Sequence, residues 1–281
     1  MKLLQFSDPH FGTTQPAVAM ALQQFSQWQR PDLLVLSGDI TQRASAEQFA
    51  EARAFCDSLA IPRMLSLPGN HDIALFNVFE RLFRPYARYL HAFGSQLEPT
   101  IELPDLFLTG VNTTRPWRHK DGEVSAAQIS RVARALALTT SGQLRIVVVH
   151  QPVHVLRQKD EHDRLHNWEP AVRAWTDAGA DVIMGGHIHL PYVCELTHVV
   201  KNVRRRSWCV QAGTALSSRV RQGAPNSVNL LRYEASPTSA ALPQCHVEQW
   251  DFSAASAQFE RIKTTALALD RRPQLPDQRP C

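Results

Sequence analysis

No stretch of the 281-residue chain approaches the ~18 apolar residues of a membrane span. The five cysteines (Cys56, Cys194, Cys209, Cys245 and Cys281) are odd in number, scattered, and form no C-x-x-C pair. That argues against a disulfide framework or a thiolate zinc site and fits core or surface thiols in a reducing compartment. The opening residues, Met1 to Asp8, run straight into a strand-like segment with no signal-peptide core or cleavage site, so a soluble, cytoplasmic protein is expected. A strong charge imbalance is missing too. Thirty Lys and Arg against 26 Asp and Glu leave +4 and a pI near 8.9, short of a nucleic-acid-binding composition. No internal repeat is visible beyond alternating strand and helix patterns. What is present is a 44% hydrophobic content, enough for a sizeable core.

The hydrophobic pattern predicts strands at residues 2–7, 33–36 and 63–67, separated by helices at 17–28 and 46–59, which argues a parallel βαβ sheet. Ser45 with Gln48, and Ser125 with Gln128, read as capping boxes that open helices. Residues 74–93 read as an aromatic-rich helix interrupted at Pro85, with its aromatic face expected in the core. Residues 100–112 read as a hairpin, and 144–149 and 181–184 as further strands. Strand-like runs dominate from residue 192 and suggest a largely antiparallel second sheet packed on the first, followed by a helix over 256–269. One domain is expected over residues 1–270, with a loose, proline-rich tail at 271–281. Lys201 to Arg206, between two predicted strands, reads as a solvated hairpin turn rather than a nucleic-acid patch.

The strand ends carry the chemistry. Leu67-Pro68-Gly69-Asn70-His71-Asp72 stops a buried strand and delivers an amide, an imidazole and a carboxylate side by side. Crevices outside the carboxyl ends of strands are where open α/β sheets place their sites. Asp8 and His10, Asp39, His150, and His187 and His189 end four other strands in the same manner. Mixed imidazole, carboxylate and amide donors without sulfur suit Mn, Fe or Zn ions, and so many groups exceed one coordination sphere. Two ions ~3.5–4 Å apart would use them, with Asp39 as the natural bridge. Arg115, Arg157, Arg219 and Arg221 are candidates for a substrate phosphate, and spacing does not choose among them. The polar segment 157–169, just after His150, is expected to lie over the site. The remaining histidines and the pair Trp168 and Trp175 are expected to be ordinary surface or packing residues.

The ordered pattern Asp8-x-His10, Gly38-Asp39, Gly69-Asn70-His71-Asp72, His150 and Gly186-His187-x-His189 resembles the calcineurin-like metallophosphoesterases. It looks most like the bacterial class III cyclic-nucleotide phosphodiesterases and their glycerophosphodiesterase relatives. The resemblance implies a four-layer αββα sandwich of two mixed sheets with flanking helices. It implies one metal on Asp8, His10, Asp39 and His189 and a second on Asp39, Asn70, His150 and His187, with a bridging hydroxide attacking phosphorus. His71 would face the leaving group with Asp72 beside it. The expected substrate is a small-molecule phosphodiester, cyclic nucleotides first, with no stable nucleic-acid partner. A monomer and a homodimer are both compatible with the sequence. Rivals on the same fold are a phosphomonoesterase and a UDP-diacylglucosamine-type pyrophosphatase, for which residues 76–93 could supply an apolar surface. A catalytically silent scaffold is the non-enzyme rival.

Overall fold

Short aliphatic runs alternating with capped helices set the first half of the fold. The computed structural model describes residues 1–74, 78–118, 120–221, 223–235 and 243–272. Its elements begin with β1 (Lys2–Phe6), α1 (Pro16–Gln29), β2 (Leu33–Ser37), α2 (Ala46–Ser58) and β3 (Met64–Leu67). Then come α3 (Val78–Phe83), α4 (Ala87–Phe93), β4 (Thr100–Leu103), β5 (Leu106–Gly110), α5 (Ala126–Ala137) and β6 (Leu144–Val148). The rest are α6 (Trp168–Asp177), β7 (Val182–Gly185), β8 (Tyr192–Glu195), β9 (Trp208–Gln211), β10 (Ser227–Glu234), β11 (Gln244–Ser253) and β12 (Gln258–Ala266). Ser45 and Ser125 cap α2 and α5, each accepting from the backbone N–H three residues on. Pro16 opens α1, where its missing N–H leaves no bond unmade.

Two six-stranded sheets result, in the orders β12-β11-β10-β1-β2-β3 and β4-β5-β6-β7-β9-β8. Leu3, Leu33, Val35, Leu67, Ile146 and Met184 fill the space between them. A second core lies under α1, α2 and α4, and a third under α5 and α6, where Trp175 is fully buried. Strands buried on both faces explain why their sequences read as continuous apolar runs. The layers run helix, sheet, sheet, helix, as the resemblance implies.

Three expectations need correction. The late strands do not form a sheet of their own. β10 pairs antiparallel with β1, matching Leu3 to Leu231 and Leu4 to Leu230, while β8 and β9 join the second sheet beside β7. The open edges of β1 and β7 supply unpaired backbone groups that these strands satisfy. Residues 256–269 are not helical: β12 pairs along β11, and the alanine-rich turn before it places Ala257 at φ 53°. Backbone pairing at the sheet edge outweighs alanine's helix propensity there. Finally, residues 75–77 of the expected aromatic helix lie outside the described residues, and of the rest only α4 turns an aromatic face inward, through Tyr89. Phe79, Leu82 and Phe83 of α3 are 72%, 69% and 68% exposed, beside an equally exposed Trp117. The α3 helix is held by Arg81, which donates to the carbonyls of Pro116 and Arg118, so its apolar residues are free to face solvent.

The expected 201–206 turn does connect β8 to β9, but Arg205 within it is buried and paired with Asp270 at 3.7 Å. Most of the expected C-terminal tail lies outside the described residues. Its first residue, Arg271, donates to Asp181 at 3.1 Å. Asp181 also holds the fully buried Arg145, through bonds of 3.1 and 3.0 Å to the guanidinium and 2.9 Å to the backbone N–H. Removing one partner of such a pair strands the other charge in the interior. Asp181→Ala is therefore expected to destabilise the fold by about 3–5 kcal/mol in urea unfolding. A loss below about 1 kcal/mol would equate the pair with a surface one.

Candidate metal centre

Each ligand-type side chain leaves the carboxyl end of a strand through a tight backbone turn. Asp8, His10, Asp39, His187 and His189 have φ of 50°, 45°, 48°, 73° and 53°. The left-handed region is uncommon for residues with a Cβ, and strain of this kind collects at functional sites. The loops brace one another: Asp8 N–H donates to Gly38 O at 3.0 Å, His10 N–H to Asp39 O at 3.1 Å, and Gly186 N–H to His150 O at 2.8 Å. Gly38, at φ 99°, lies where a Cβ would run into the His150 imidazole, so that approach requires glycine.

Two clusters form on these loops, and a third group bridges them. Asp8, His10 and His189 make one, Asp39, His150 and His187 the other, and His10, Asp39 and His71 the bridging group, each with its ligand atoms within 4.8 Å of one another. Asp39 Oδ1 lies 3.2 Å from His150 Nε2 and Asp39 Oδ2 lies 3.8 Å from His10 Nε2, so this carboxylate faces both. Asn70 Oδ1 sits 3.3 Å from His150 Nε2, in the second cluster. Backbone carbonyls set the tautomers. His150 Nδ1 donates to Ser37 O at 2.8 Å and His189 Nδ1 to Arg219 O at 2.8 Å, which leaves each Nε2 turned inward. Burial opposes the charge on Asp39, and the fields of His150, His71 and His10 overcome it, so the carboxyl lies well below its usual range. Burial likewise opposes charge on His150, but Asp39 and Asp8 raise its pKa to about 9, while burial brings His10 down to about 3.

The donor set fits a pair of first-row ions. Four imidazoles, two carboxylates and an amide oxygen are gathered from both sheets, with no sulfur among them. Among the described residues the buried His187 Nδ1 has no hydrogen-bond partner, as expected of an atom placed to ligate.

His71 belongs to the bridging group and lines the cavity over it. Its ring meets His10 edge to face at 4.8 Å, and its Nδ1 lies 3.0 Å from Gln42 O. Asp72 does not reach that imidazole. Its carboxylate accepts from the N–H groups of Ile40, Thr41 and Gly69 at 3.0, 2.8 and 2.8 Å and ties the β2 and β3 loops together. A cavity of about 450 Å³ opens over the clusters. The expected covering segment contributes Lys159, Asp160, His162 and Asp163 to its wall, and the 113–123 loop contributes Lys120. Of the four candidate arginines, Arg219 and Arg221 line the cavity. Arg221 is tied to Asp160 at 2.6 Å, and Arg115 braces the α5 cap through Gln128 at 2.7 Å. Sequence reasoning missed Lys120 and Asp163, since no ligand motif marks either position.

The two mixed sheets, the strand-end ligands and the carboxylate shared between clusters define a metallophosphoesterase fold with a dinuclear type of site. Residues 1–191 match the calcineurin-like phosphoesterase family, and the chain belongs to it. A purple acid phosphatase from seeds of yellow lupin (Lupinus luteus) superposes with a TM-score of 0.69 at 14% identity, over 95% of this chain and 53% of that one. A dimetal phosphatase from Danio rerio does so with a TM-score of 0.65 at 13% identity, over 96% and 99%. The chain spans about half the length of the lupin protein, and at these identities the likeness shows the fold alone. No curated protein matches the chain in sequence.

Because Asp39 faces both clusters, Asp39→Ala is expected to empty both sites, whereas Asn70→Ala should lower occupancy at one. Metal analysis after Mn²⁺ loading and gel filtration measures this. Two tightly held ions in Asp39→Ala would contradict the shared-carboxylate arrangement.

Proposed function

We propose that the chain is a dinuclear metal-dependent phosphoesterase acting on small phosphodiesters, with cyclic nucleotides the favoured class. The observation that carries this reading is the polar cavity of about 450 Å³, which lies over both ligand clusters and is walled by Arg219, Lys120 and Lys159. It is larger than one phosphoryl group needs and leaves room for both substituents of a diester. When bound, first-row ions in such a site supply Lewis acidity and lower the pKa of a water that can attack phosphorus. Asp8, His10, Asp39 and His189 would hold one ion, and Asp39, Asn70, His150 and His187 the other. Asp8 is kept in place by N–H donation from His187 at 3.0 and 2.9 Å and by the Ser7 hydroxyl at 2.7 Å. The covering loop at residues 158–163 orients the organic part of the substrate, and His71 assists departure of the leaving alcohol.

No helix among the described residues is long and apolar enough to cross a membrane. One observation favours a second reading, a pyrophosphatase acting on a UDP-diacylglucosamine-type lipid. Phe79, Leu82, Phe83 and Trp117 form an exposed apolar surface that could receive acyl chains. The residues that line the cavity are charged or polar apart from Ile188. A silent scaffold would not need the complete donor set.

A hydrolysis screen of Mn²⁺-loaded protein against cyclic nucleotides, glycerophosphodiesters, UDP-diacylglucosamine and monoesters separates these readings. Turnover of the cyclic nucleotides above the others is expected, and preferential cleavage of the lipid substrate would overturn the diester assignment. For His71, the leaving group is the probe. His71→Ala should retain both metals, lose about 10²–10⁴-fold on an alkyl or ribose diester, and lose much less on a nitrophenyl diester. Equal losses on both would make His71 a positioning residue instead.

A further inference from the structure

Arg219 lies beyond the residues that match the family, yet its loop is built into the metal centre. Thr214 Oγ1 donates to Asp8 O at 2.6 Å, Ala215 N–H to Ser7 O at 2.9 Å, and Ser218 N–H to Thr13 O at 2.9 Å. Arg219 N–H donates to Ser217 Oγ at 3.0 Å, and its carbonyl holds His189 Nδ1 at 2.8 Å. The backbone at this position is fixed against the β1 loop and a ligand imidazole. Only the side chain is left to move.

That side chain rests on an amide oxygen and two imidazole nitrogens. Its Nη1 lies 3.0 Å from Gln42 Oε1, 3.2 Å from His71 Nε2 and 3.4 Å from His10 Nδ1. His71 Nδ1 faces the Gln42 carbonyl and must carry the hydrogen there, so Nε2 accepts from Arg219. Among the described residues no carboxylate lies within 4.0 Å of this guanidinium, and no hydrogen bond engages its Nε or Nη2. Arg221, by contrast, has both its terminal nitrogens occupied, by Asp160 and by Ile188 O. Arg219 therefore brings to the cavity a guanidinium that no carboxylate neutralises and whose two remaining nitrogens are unengaged. A forked donor of that kind matches the paired oxygens of a phosphoryl group.

We propose that Arg219 is a substrate-contact residue that grips the phosphoryl group through Nε and Nη2 while Gln42 steadies Nη1. This rests on the phosphoesterase reading and adds a specific anchor to it. The Gln42 amide oxygen holds Nη1 and leaves Nε and Nη2 for an incoming phosphate.

The test uses the full-length chain loaded with Mn²⁺ and inorganic phosphate as the probe, followed by calorimetry, with hydrolysis of bis(4-nitrophenyl) phosphate measured in parallel. Arg219→Ala is expected to retain two Mn²⁺ ions, because the His189 contact is to the backbone, and to weaken phosphate binding by about 10–100-fold. KM for the diester should rise in step, and Arg219→Lys should recover part of the loss. Gln42→Ala removes a positioning contact and should weaken phosphate binding by a smaller factor, about 2–5-fold. Wild-type hydrolysis with unchanged phosphate affinity in Arg219→Ala would overturn the anchor alone. So would loss of metal from Arg219→Ala, or a Gln42→Ala loss larger than that of Arg219→Ala. A wild-type protein that neither hydrolyses the diester nor binds phosphate would overturn the phosphoesterase reading, and the anchor with it.

Discussion

The Asp39 carboxylate, buried where the two sheets meet, is the constraint on which the site depends. It faces His150 at 3.2 Å on one side and His10 at 3.8 Å on the other, while Oδ1 also accepts the His71 N–H at 2.9 Å. An unpaired charge there would be costly, so the surrounding imidazoles and N–H groups are part of the reason the loops fold as they do. The left-handed backbone at Asp8, His10, Asp39, His187 and His189 is the accompanying strain. Close packing of the loops holds that strain in place. Asp72 secures the β2 and β3 turns, Gly38 admits His150, and the 212–219 segment closes over Asp8.

Much of the architecture serves this convergence. Strands β1, β2 and β3 bring their carboxyl ends to one edge of the first sheet, and β6 and β7 bring theirs to the facing edge of the second. The apolar layer between the sheets fixes their separation, and with it the distance between the two halves of the ligand set. Interiors packed at this density give little under strain. Modest changes in the Leu67, Ile146 or Met184 layer would therefore be felt at the ligands. The late strands add a second use of the same edge. After β9 the chain returns through residues 212–221, carrying Arg219 and Arg221 to the cavity before β10 closes against β1.

The convergence of the candidate ligands was legible because each sits near a residue that stops a strand, as Gly38, Gly69 and Gly186 do, and because those interruptions come in a recurring order. The capped helices were legible for a similarly local reason: Ser45 and Ser125 each bond a backbone N–H only three residues away. Nonlocal features were not. Whether residues 258–266 form helix or strand depends on β11 offering an open edge. The exposure of Phe79 and Phe83 depends on where Arg81 finds carbonyls, more than 30 residues downstream. The choice of Arg219 over Arg115 and Arg221 depends on which guanidinium meets a partner elsewhere in the chain, and spacing carries no such information. Asp72 illustrates a subtler gap, since adjacency to His71 suggested a shared task and the turn sends the two side chains in different directions.

The central claim is that Asp39 is shared by two ions held in one site. Electron paramagnetic resonance of the wild-type chain during Mn²⁺ titration tests it most directly. At two equivalents the account predicts an exchange-coupled spectrum that replaces the simple six-line signal, because a common carboxylate brings the ions within coupling distance. Two equivalents bound with only uncoupled six-line signals, or saturation at one, would contradict it.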